Sequence, residues 1–160
     1  MLRIAFAPVR SCLVLAAMLL VTLAGAQAPH DPLTSMLPDA KGAVPWSLLS
    51  STGIRKINGK LGPDFSEGLR ALNGKTVKIQ GYVMPLEAGQ MHRYFLLSAW
   101  SPSCPFCQTA GPEAMVEVKA RTPVKYSTEP VVVEGRLMLL DNDASGVFYR
   151  LTEAAPSTLK

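Results

Sequence analysis

Two cysteines three positions apart, Cys104 and Cys107 in the run Ser103-Cys-Pro-Phe-Cys-Gln108, are the most specific chemical feature of the chain. Cys-x-x-Cys spacing suits several chemistries. One thiolate can attack a bound disulfide while the other resolves the mixed disulfide, and the motif often lowers the thiol pKa. Two thiolates can also occupy two positions of a tetrahedral zinc site or hold copper(I). Alternatively the pair closes a small structural disulfide, although so short a loop gains little entropy from closure. Covalent haem attachment needs a histidine directly after the second cysteine, and position 108 is Gln, which excludes it.

Each surviving chemistry makes demands on its surroundings. Phe95-Leu-Leu-Ser-Ala-Trp-Ser-Pro-Ser103 resembles a thioredoxin-type strand running into its active site, and Glu129-Pro130 before a valine run imitates that fold's downstream proline. A thioredoxin-like site, however, places its first cysteine at a helix N-terminus, and Gly111-Pro112 would stop such a helix within about a turn. A structural zinc wants four ligands, and the chain has no second cysteine knuckle. Its two histidines are His30, in a proline-rich stretch, and His92, which is the candidate third ligand beside Cys104 and Cys107. Met84, Met91, Met115 and Met138 are soft donors suited to copper(I), but methionines in apolar strands usually fill cores. His92, beside a turn, reads equally well as a solvated side chain. A disulfide that only braces the loop satisfies the spacing with no further ligand.

Other constellations are weak. The glycines at 59, 62 and 74 form neither a dinucleotide nor a phosphate-loop pattern. No hydrolase elbow is present. Asp141-Asn-Asp resembles the start of a calcium loop but lacks the spaced later ligands and the terminal glutamate, and a hairpin turn explains it. Asp64 and Glu67 read as helix-start charges.

The 160-residue chain is 48% hydrophobic, with a formal charge of +4 and three cysteines. Much of that signal sits in residues 1–26, which read as a secretory leader. Arg3 and Arg10 form a basic n-region, Leu13 to Ala24 is an apolar run too short to span a bilayer, and Ala24-Gly25-Ala26 is an A-x-A cleavage signal. Cleavage before Gln27 would remove Cys12 and both arginines, leaving 14 basic residues against 12 acidic ones and two cysteines. Lys56, Lys60, Lys75 and Lys78 are dispersed and not interleaved with aromatics, so a nucleic-acid partner is not expected. No later stretch is apolar enough for a stable membrane anchor. The expected location is periplasmic or secreted, an oxidising setting in which two thiols tend to pair.

The elements that must position the cysteines follow from the remaining pattern. Residues 27–45 contain four prolines and read as an extended, poorly ordered lead-in. The domain is expected over 46–156, with a short tail at 157–160, and Trp46 is expected to pack on it. Phe65, Leu69 and Leu72 predict a short helical turn closed by Asn73-Gly74. Five strands are predicted: Thr76–Met84 with a bulge at Gly81, Arg93–Trp100, Ala114–Ala120, Pro130–Leu140 bending at Gly135, and one from Val147. The cysteines fall in the loop between the second and third of these. No helix of ordinary length separates the strands, so a parallel βαβ sheet is not expected. The fold class is therefore mainly β, a small five-stranded OB-like barrel with a short N-terminal helical segment.

Three runs, LNGKTVKIQGYVMPLEAG from Leu72, YFLLSAWSPSCPFCQTAGPEAMVEV from Tyr94 and EPVVVEGRLMLL from Glu129, with the closing GVFYRLTEA, resemble a bacterial family of unknown function made of small exported proteins. The resemblance covers about Pro45 to Ala155. It implies an exported β domain with the Cys104–Cys107 loop as its signature, and it implies no activity. Some relatives are associated with transition-metal uptake, which favours zinc or copper at the pair by analogy only. The sequence reading is thus an exported binding or accessory module, rather than an enzyme. Its cysteine pair binds a transition metal or forms a redox-sensitive disulfide, and its partner is the metal or an unknown periplasmic protein. A thiol-disulfide oxidoreductase and a protein-binding barrel with a purely structural disulfide are the alternatives.

Overall fold

The computed structural model describes residues 36–57, 59–102 and 111–159. All belong to one compact unit, Asp31–Lys160. Its elements in chain order are helix α1 (Trp46–Leu49), strands β1 (Gly53–Ile57) and β2 (Lys60–Asp64), helix α2 (Glu67–Arg70), and strands β3 (Thr76–Pro85) and β4 (Met91–Ser98). A 3-10 turn, Pro112–Ala114, precedes β5 (Met115–Lys125), β6 (Val131–Leu139) and β7 (Tyr149–Ser157).

The last five strands close into a barrel in the order β3-β4-β5-β7-β6 and back to β3, as expected of a small OB-like barrel. Four of the neighbouring pairs are antiparallel. The fifth, β5 with β7, is parallel, with Glu117 opposite Arg150 and Val118 opposite Leu151. The chain reaches that parallel pairing through strand β6, with no crossover helix, so the expectation of no βαβ unit holds while one parallel seam still closes the barrel.

Alternation fills the interior. Ile79 and Val83 of β3, Phe95 and Leu97 of β4, Val116 and Val118 of β5, Val133 and Leu137 of β6, and Tyr149 and Leu151 of β7 are all fully buried. Two glycines shape the wall. The register of β3 against β6 runs unbroken to Gly81, so the predicted bulge is not there. The position instead demands close approach: a Cβ on Gly81 would lie 2.7 Å from Leu97 Cγ and 2.9 Å from the Ser98 carbonyl oxygen. Gly81 is where β3 stops pairing with β6 and Tyr82 begins pairing with β4. At Gly135 the expected bend is present as a register shift between Glu134 and Arg136 against β7. Facing it, Glu153 adopts φ +53.

The segment before the barrel packs against it. Leu37 N–H donates to the Ala99 carbonyl (2.9 Å) and Val44 N–H to the Lys78 carbonyl (2.8 Å). In α1, Trp46 and Leu49 are buried, and Trp46 Nε1 donates to the Gln80 carbonyl at 2.7 Å. The predicted turn after Phe65 is α2, whose Ser66 side chain accepts from Leu69 N–H at its N-terminus. Between the helices, β1 and β2 form a separate two-stranded hairpin. That hairpin was not predicted, although Ile57-Asn58-Gly59-Lys60 carries the Asn-Gly pair that two-residue hairpin turns favour.

Candidate functional site: the end of the barrel that bears the cysteine loop

Strand directions bring several connections to one end of the barrel. Because β4 and β5 are antiparallel, β5 and β7 parallel and β6 and β7 antiparallel, the end of β4, the starts of β5 and β7 and the end of β6 meet there. The connection from β4 to β5 carries Cys104 and Cys107. Both cysteines lie outside the described residues, but the feet of their loop are well defined. Ser98 pairs with Met115, and Ala99 N–H donates to the Ala114 carbonyl at 3.1 Å. Trp100 bridges to Met36, and its N–H donates to Ser98 Oγ at 3.0 Å. Pro112 starts the 3-10 turn that leads into β5. Trp100 Nε1 is buried with no partner among the described residues. Beside this foot, a cleft of about 560 Å³ is lined by Met36–Asp39, Ser47, Ser50 and Ser51.

His92 stands elsewhere. Ser98 lies six positions further along β4, about 20 Å at the usual strand rise. Expected as either a ligand or a solvated residue, it is neither exposed nor at the loop's end of the strand: it is 3% exposed, and its Nε2 has no partner among the described residues. A register irregularity between His92 and Tyr94 explains the burial, since it lets both His92 and Phe95 face inward although they are three positions apart. Among the described residues no group of three or more His, Cys, Asp or Glu is placed to hold a metal ion.

The same end carries a polar cluster that the sequence reading did not pick out. Glu117 of β5 is only 3% exposed, although it lies on the outer face between the inward Val116 and Val118. Its Oε1 accepts from the Tyr94 hydroxyl at 2.8 Å, and its Oε2 accepts from Arg150 Nε. Arg150 Nη2 donates to Asp143 Oδ2 at 3.0 Å. Asp143 in turn accepts from Ser145 N–H at 3.0 Å, so the predicted polar turn is also an ion-pair anchor.

These bonds set the ionisation of the group. Hydrogen bonding to Glu117 raises the Tyr94 phenol, since ionising it would place two negative charges together. The hydrogen bond to Glu117 raises Arg150 further. The Ser145 hydroxyl and N–H, with Arg150 behind them, hold the Asp143 carboxyl below its ordinary value. With both Glu117 oxygens engaged and Tyr94 held neutral, the cluster offers neither a free base nor a nucleophile. Its effect is to fasten the turn around Asp143 to the barrel wall at the end where the feet of the β4–β5 connection lie. Nothing local in the sequence announces it, because Glu117 is 23 residues from Tyr94 and 33 from Arg150.

The barrel and its loop can be compared with known proteins. No curated protein matches the chain. A crystal structure of a DUF3299 family protein from Pseudomonas aeruginosa PAO1 is similar at 21% sequence identity, covering 79% of this chain and 94% of that one, with a TM-score of 0.47. The pattern of the family described as "Protein of unknown function (DUF3299)" matches residues 65–155, from two residues before α2 into β7 and more than half of the sequence, and the chain belongs to that family.

Proposed function

We propose that the protein is an exported binding or accessory module whose working group is the Cys104–Cys107 pair. That pair would hold a soft transition metal, zinc or copper(I), or cycle between dithiol and disulfide according to its surroundings. The observation that carries this reading is the spacing itself: after loss of the leader, the only two cysteines stand as Cys-x-x-Cys in one interstrand connection. The geometry supports it indirectly. The ends of the connection that carries the pair are fixed by the Ser98–Met115 pair and the Ala99–Ala114 hydrogen bond. Two thiolates leave a tetrahedral ion half coordinated. The remaining positions would be filled by a partner or a second copy, which suits an accessory role better than permanent storage. His92, the third ligand expected beside the two cysteines, is a buried residue of β4.

Intact mass of the protein taken from the periplasm under native conditions tests the reading. A deficit of two hydrogens marks a disulfide, and added metal mass marks a ligand pair. Titration of the reduced protein with zinc and copper(I) should then give binding tighter than micromolar that is lost in Cys104→Ser/Cys107→Ser. A permanent disulfide that mild thiol reductants do not open, together with no metal binding after forced reduction, would leave the pair with only a bracing role.

A further inference from the structure

We draw no further inference here: the strongest candidate, the largely apolar cleft of about 670 Å³ between the ends of β5 and β7, whose lining residue Val124 pairs across strands with the buried His92, carries nothing, because nothing in the structure shows what covers it.

Discussion

Glu117 is a charge that a strand pattern alone would send to solvent. Its neighbours Val116 and Val118 face the core, so alternation places it outside, yet Tyr94 and Arg150 cover it until it is 3% exposed. A buried carboxylate is tolerable only when its oxygens are occupied, and here both are. Removing it should therefore cost more than one hydrogen bond. Glu117→Ala leaves Arg150 without its more buried partner, although Arg150 keeps Asp143 and some contact with water. The expected loss is about 2–3 kcal/mol, at or below the lower end of values for broken buried pairs. Urea denaturation at neutral pH measures it. Glu117→Gln, which keeps the shape and one acceptor, should lose less. If both variants cost under about 0.5 kcal/mol, the cluster behaves as an ordinary surface pair.

At the scale of elements, what the sequence disclosed depended on whether the deciding contacts were local. Val77, Ile79 and Val83 announce β3, and Gly135 announces the irregularity in β6, because alternation and a missing side chain are local facts. The ends of β5 and β7 were less legible. β5 continues through Arg121-Thr-Pro-Val-Lys125, where apolar alternation fades. β7 continues to Ser157 past Glu153, whose positive φ breaks the alternation of its strand. The hairpin's Asn-Gly signal was present, but its flanking strands, GIRKI and KLGPD, lack a regular apolar alternation. Of the candidate site, the cysteine spacing and the polar turn were legible, whereas the burial of His92 and the Glu117 cluster depend on register. Gly81 shows how tertiary packing can reinterpret a local signal. Its lack of a side chain reads as a bulge, but it serves the tight crossing where β3 changes partners under Trp46. Gly81→Ala would press a methyl against Leu97, the Ser98 carbonyl and Trp46 Cζ2, the last at 3.2 Å. Overpacking of this kind should cost about 1–3 kcal/mol. A melting temperature within a degree of wild type would show that the crossing has slack.

Across the whole molecule, Tyr149 ties together parts that are remote in sequence. Its ring lies in the barrel core against Phe65 and Phe148, and its hydroxyl donates to the Leu49 carbonyl at the end of α1 while bonding to Thr52 at the foot of the hairpin. One phenol thus holds the N-terminal helix, the hairpin base and the first residue of β7 in a single unit. Burial raises its pKa from 10.0 to about 12, opposed in part by the Thr52 hydrogen bond. A group whose folded pKa is raised contributes its full stabilisation below the unfolded value and loses it as pH rises towards the folded one. Stability should therefore hold up to about pH 10 and fall between pH 10 and 12, because the unfolded chain can ionise this phenol while the folded one cannot. The contribution at stake is about 2–3 kcal/mol by the top of that range. Tyr149→Phe should lose about 1–2 kcal/mol at neutral pH, from two unmade hydrogen bonds, and should then decline less steeply above pH 10. Other groups also titrate in that window, so the informative quantity is the difference between the two proteins, followed by urea denaturation at several pH values from 8 to 11. If the curves stay parallel, the Tyr149 hydroxyl is not the alkaline-sensitive tie. If they converge as pH rises, the joining of helix, hairpin and barrel rests on its proton.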